Sequence, residues 1–171
     1  METWDAIRAR RNVRAYADRP IAPEDLDRIL EAARRAPSSM NEQPWDFVAV
    51  VDRDLLPRLA RVWRYGLHLE AAAAAIAFVA PATEDAEERE IVWFDMGQAA
   101  MSAMIAAADI GIGSCHSAVG DQGLVRELLG TPQDRECVLL LSLGYPADRS
   151  LVPIERPSRR SFDEVVHRDR W

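Results

Sequence analysis

From Ile91 to Ala108 the chain runs IVWFDMGQAAMSAMIAAA, an apolar body that follows the acidic stretch Glu84 to Glu90. The acidic stretch suits the solvated first turns of a helix, and the apolar body continues it through Met101, Met104 and Ile105. A helix that is apolar on nearly every side is buried. With 171 residues the chain has few other elements to surround it, so a second subunit is the simplest cover. This helix predicts a core built around it and an assembly of more than one copy.

The remaining elements follow from spacing and punctuation. Trp4 to Arg11 reads as a short helix. A second begins at Pro23, because PEDLDRILEAARRA places Leu26, Ile29, Leu30 and Ala33 on one face. Pro23 suits a first helical position, and Glu24, Asp25 and Asp27 suit the positive end of the helix dipole. The residue before Pro37 disfavours helix, so PSSMNEQP is a loop. Phe47 to Val51 reads as a strand, followed by a helix through Leu55 to Arg64 and a strand at Ala75 to Ala80. The stretch Ala71 to Ala82 is shorter than the roughly 20 residues of a spanning helix, and no membrane segment is expected. Asp121 suits the N-cap of a helix ending at Gly130. CVLLLSLGYP suits a central strand buried on both faces. One domain over residues 1–171 is expected.

Composition removes several chemistries. The chain has no lysine, so all 21 basic residues are arginine, and with 28 acidic residues the net charge is −7. A lysine Schiff base, a pyridoxal-phosphate lysine and a Gly-Lys-Ser/Thr phosphate loop are excluded. Acidic net charge argues against nucleic acid as a partner. His68, His116 and His167 show no metal-ligand spacing. Cys115 and Cys137 fit neither a disulfide framework nor a zinc cluster, which with the absence of a readable secretory signal suggests a reducing, cytoplasmic compartment.

Three segments could carry chemistry. Arg8, Arg10, Arg11 and Arg14 form one basic island without an intervening acid, and Arg156, Arg159 and Arg160 form another. Either both are solvated faces paired with nearby carboxylates, or they meet around a shared anion, which planar guanidinium groups grip bidentately. The PSSMNEQPW loop gathers Ser38, Ser39, Asn41 and Gln43 beside the rigid Pro44-Trp45 pair. It reads either as an ordinary turn or as an edge for a flat heterocycle. In GIGSCH, Cys115 and His116 are adjacent on an extended segment and point to opposite sides, so a thiol–imidazole pair is disfavoured and Cys115 reads as packed.

In order, these segments resemble the nitroreductase-like family of FMN-dependent NAD(P)H oxidoreductases. Arg10-Arg11-Asn12-Val13-Arg14-Ala15-Tyr16 resembles the family's Arg-Arg-Ser-x-Arg-x-Phe/Tyr opening. APSSMNEQPWDF resembles its Ala-Pro-Ser-Ser-x-Asn-x-Gln-Pro-Trp-x-Phe segment. FDMGQAAMSAMIAAADIGIGSCH resembles the dimer-core helix and following strand, and LLLSLGYP and RRSFDEVVHRDRW resemble the closing strand and tail. Asn12 stands where the family usually has serine, and His116-Ser117-Ala118-Val119 where many members have Trp-x-Gly-Gly. The chain is also shorter than typical members between Trp63 and Trp93.

The resemblance implies an α+β fold, with a central, mostly antiparallel sheet flanked by helices, in an intertwined homodimer with FMN at the subunit interface. It implies that Arg10 and Arg159 hold the phosphate, with Arg11, Asn12 and Arg160 nearby. Arg14 would lie beside the flavin pyrimidine. Pro37, Ser38, Ser39 and Asn41 would reach the same flavin from the partner subunit, and backbone of His116, Ser117, Ala118 and Val119 would approach N5. NADH or NADPH would donate hydride, and a small electron-poor acceptor such as a nitroaromatic or quinone would receive it, with no catalytic side chain and no metal. The alternatives are a flavin carrier or sensor without turnover, or a member with another acceptor, such as a dehalogenase, a flavin-cleaving enzyme or an azoline dehydrogenase.

Overall fold

A computed structural model describes residues 1–171. Its spine is a four-stranded sheet in the order β1-β2-β4-β3, formed by β1 (Asp46–Val50), β2 (Ala74–Pro81), β3 (Gly113–Ser117) and β4 (Arg135–Gly144). All three pairings are antiparallel. With α1 (Thr3–Ala9), α2 (Pro23–Arg34) and α4 (Ala86–Asp109) this is an α+β fold.

Alternation along β2 divides the core. Ala74, Ile76, Phe78 and Ala80 pack with α2 and α4, whereas Ala75, Ala77 and Val79 pack with α3 (Leu56–Leu59) and α5 (Gln122–Leu129). Both faces of the strand are buried, which explains its unbroken apolar sequence. Full burial of Phe78 contributes roughly 1.5–3 kcal/mol.

α4 is capped at both ends. Asp85 accepts hydrogen bonds from the amides of Glu87 at 2.9 Å and Glu88 at 3.0 Å. At the other end Gly111 turns left-handed at φ 77°. There the Ile112 amide reaches the Ala107 carbonyl at 2.9 Å and the Gly111 amide that of Ala108 at 3.1 Å. Asp121 and Gly130 cap α5 as expected, with the Leu124 amide 2.8 Å from Asp121 and φ 68° at Gly130.

Four expectations need correction. α4 is not buried all round: Ile91, Trp93, Phe94 and Met101 are exposed by 42–70%. Against the expectation of no membrane segment, α4 has the length and apolarity of a membrane-crossing helix. Half of its most apolar stretch is nevertheless packed in the protein core. The helix expected from Leu55 to Arg64 breaks into α3 and a 3-10 turn at Ala60–Val62. Trp63 then turns extended, and the chain doubles back until a β-carbon on Gly66 would lie 2.3 Å from the Ala60 carbonyl oxygen. The first helix ends at Ala9 because Arg10 is already extended, on its way to pair beside β3.

Candidate functional site

Beyond α1 the chain runs alongside β3. Asn12 forms a parallel bridge with Ser114, and the Val13 amide donates to the Ser114 carbonyl at 2.9 Å. The C-terminal segment returns to the same place. Ile154 donates its amide to the Arg8 carbonyl at 3.1 Å, and Arg11 donates to Asp148 Oδ1 at 2.9 Å and to the Arg149 carbonyl at 2.7 Å. The two basic islands therefore meet.

They line a groove of about 910 Å³ that includes Arg8, Arg10, Arg11, Asn12, His116, Arg149, Arg156 and Arg159, with Met101 and Ile105 of α4 on its apolar side. Arg8 has Asp5 at 3.4 Å and Arg11 has Asp148 at 2.9 Å. Arg10, Arg149, Arg156 and Arg159 have no carboxylate within 4.0 Å. Converging guanidinium groups without counter-charges favour a multiply charged anion in the groove. Arg149 and Arg156 are additions to the expected set. Arg156 was visible as part of the second island, while Arg149 carried no separate signal.

Beneath this segment lies a buried polar chain. Tyr16 donates its hydroxyl hydrogen to the Val13 carbonyl at 2.7 Å, and Ser142 Oγ lies 2.7 Å from both Tyr16 Oη and His68 Nδ1. Ser142 also lies 3.1 Å from the Cys115 carbonyl. Burial, assisted by the positive charge of Arg14 and by His116, lowers His68 from its ordinary 6.5 to about 4, so it is neutral near pH 7. Burial raises the Cys115 thiol. Cys115 is buried while His116 is exposed, so the two side chains do not form a nucleophile–base pair. No group of three or more His, Cys, Asp or Glu side chains is placed to hold a metal ion.

Pro37, Ser38 and Ser39 lie elsewhere in the chain, in a cleft of about 540 Å³ against Glu87, Glu90, Ile91, Phe94, Asp95 and Gln98 of α4. A shallower cleft over Phe94, Gln98, Met101 and Ile105 joins this site to the arginine groove. From Phe94 to Ile105 is about 16 Å along a helix. Asn41 is exposed and left-handed at φ 59°, and it lines neither cleft. Arg14 is exposed beside His68 and outside both. Ser117 is buried, Ala118 is exposed, and Val119 packs towards α3 and α5, leaving His116 as the one member of 116–119 in the groove. Arg160 instead donates to the Glu164 carbonyl at 2.8 Å.

This α+β domain thus carries an arginine-rich groove at one end of the exposed stripe of α4 and a polar cleft at the other. The Nitroreductase family model matches residues 7–81 and 62–145. An Archaeoglobus fulgidus protein provisionally named NADH dehydrogenase/NAD(P)H nitroreductase is 35% identical over 99% of both chains. The structure of an FMN-dependent nitroreductase from Clostridium difficile superposes with a TM-score of 0.83, 26% identity, and coverage of 97% of this chain and 96% of that one. The NADPH:FMN oxidoreductase of Vibrio harveyi, solved with NAD+, gives 0.83 at 26% identity over 97% of this chain and 76% of that one. The chain belongs to the nitroreductase family.

Proposed function

We propose that this protein is an FMN-dependent oxidoreductase, active as a homodimer, that uses NADH or NADPH to reduce a small electron-poor acceptor such as a nitroaromatic or quinone. What supports this reading is the pair of clefts at opposite ends of one exposed stripe of α4. A two-fold axis near the middle of the stripe makes an isologous interface, in which each end meets the opposite end of the partner. The Ser38 cleft of one subunit then faces the arginine groove of the other. Charge supports the match, since the cleft carries Glu87, Glu90 and Asp95 without a basic residue while the groove is rich in arginine. Burying Ile91, Phe94 and Met101 supplies the apolar centre of such an interface.

The groove fits the cofactor's phosphate. Arg10, Arg156 and Arg159 supply bidentate donors without competing carboxylates, and Arg11 closes one side while tied to Asp148. Arg14, exposed and unpaired but outside the groove, would offer a permanent positive charge to any part of the bound flavin that extends beyond it. The partner's Ser38 and Ser39 would supply hydroxyl groups for the ring, with Asn41 exposed outside the cleft, and Pro37 would exclude water beside them. Of 116–119, His116 would form part of the wall of the bound cofactor's site. Bound FMN supplies hydride acceptance from NAD(P)H and hydride delivery to the acceptor. Both cysteines are free and buried, which supports a reducing, cytoplasmic location.

Titration of apoprotein with FMN, combined with sedimentation, tests the reading. Saturation at one FMN per chain in a dimer is expected. A monomer that remains colourless after reconstitution overturns it.

A further inference from the structure

We infer that Asp95 is a positioning residue, which holds the 37–43 loop in the shape needed for cofactor binding; this rests on the function proposed above. The loop sequence Pro37-Ser-Ser-Met-Asn-Glu-Gln43 contains no glycine. Even so, Met40, Asn41 and Gln43 adopt left-handed backbones at φ 49°, 59° and 52°. That conformation costs free energy at each non-glycine residue and persists only where surrounding contacts impose it. Within the loop, Ser38 Oγ accepts the Gln43 amide at 3.0 Å and Gln43 Nε2 donates to the Asn41 carbonyl at 3.2 Å.

Only α4 hydrogen-bonds the loop from outside. Asp95 Oδ2 accepts the Ser39 amide at 2.9 Å, and Gln98 Nε2 donates to the Pro37 carbonyl at 3.4 Å and to Asp95 Oδ1 at 3.2 Å. Asp95 is 2% exposed and has no cation within 4.0 Å. Burying a carboxylate without an ion-pair partner is costly, and an apolar residue would serve the core of α4 better. The carboxylate is therefore explained by the amide it holds. It fixes Ser38 and Ser39 against the same helix that carries Phe94 and Gln98, so the loop and the exposed stripe keep one geometry.

The test compares FMN affinity and amide hydrogen exchange in the full-length parent, Asp95→Ala and Asp95→Asn. Loss of a hydrogen bond to a charged group weakens the interaction by about tenfold. Asp95→Ala is expected to raise the Kd for FMN by about that factor and to speed exchange at 38–43, with protection of α4 beyond Ala99 unchanged. Asp95→Asn keeps an acceptor oxygen and is expected to restore most of both. Affinity and loop exchange in Asp95→Ala within twofold of the parent overturn the assignment. If Asp95→Ala does not fold, Asp95→Leu fills the same space without an acceptor and is compared with Asp95→Asn, which keeps one. Faster exchange at Asn41 and Gln43 is then expected, and unchanged exchange overturns the assignment. If the parent itself takes up no FMN, the proposed function fails, while the exchange comparison still decides the role of Asp95.

Discussion

A β-carbon built on Gly113 would lie 2.6 Å from Cγ2 of Val13, so only glycine at this position lets the arginine-bearing segment lie flat against β3. That contact sets where Arg10, Arg11 and Asn12 stand relative to His116. Gly113→Ala forces Val13 away and overpacks a closely filled junction. A stability loss of about 1–3 kcal/mol is expected in urea denaturation, together with weaker FMN binding. Unchanged stability and affinity would show that the segment tolerates displacement.

The unpaired arginines are expected to set cofactor affinity. Arg10→Ala and Arg159→Ala each remove a charge-assisted contact, and each is expected to lower FMN affinity by about tenfold or more. Fluorescence titration measures the loss. Because guanidinium stays protonated, affinity should not decline at high pH as it would for a lysine-held phosphate. Equal affinity in both variants and the parent would place the phosphate elsewhere.

The exposed stripe is expected to hold two chains together. Phe94, at 70% exposure, sits near one end of it. Phe94→Glu puts a charge into the apolar face of an isologous interface, where symmetry presents it twice. Sedimentation should show dissociation, and FMN should be lost with the partner's half of the site. A dimer with full cofactor content would exclude this face as the interface.

His68 gives the fold an acid-sensitive point. Its folded value of about 4 lies below the ordinary 6.5, so the unfolded chain binds the proton more readily. The stabilising contribution of neutral His68 is complete above pH 6.5 and is lost as pH falls from 6.5 towards 4. His68→Gln should flatten the stability profile across that window in chemical denaturation. A profile as steep as the parent's would assign the acid sensitivity to other groups.

The sequence exposed most of the fold because its signals were local. Pro23, the Asp121–Gly130 pair and the apolar run in β4 each mark an element through its own residues. The break after Leu59 was hidden, since it depends on Gly66 packing against the Ala60 carbonyl through a doubled-back chain. The arginine islands were legible as charge, but their meeting required the hydrogen bonds of Arg11 to Asp148 and Arg149, 137 and 138 residues away. The Tyr16–Ser142–His68 chain left no local signal for the same reason. Asp95 did leave one, as the lone acid between Ile91 and Ala108. In the single chain the 37–39 cleft and the arginine groove stand at opposite ends of the exposed stripe of α4, and the proposed dimer would bring the two to face each other.

The most direct test of the central claim is the visible absorbance of the FMN-reconstituted protein before and after anaerobic addition of NADH or NADPH. The expected result is a bound-flavin spectrum that bleaches with at least one donor and returns when a nitroaromatic or quinone is added. A bound-flavin spectrum that neither donor bleaches would contradict the oxidoreductase assignment and leave a flavin-binding protein without turnover.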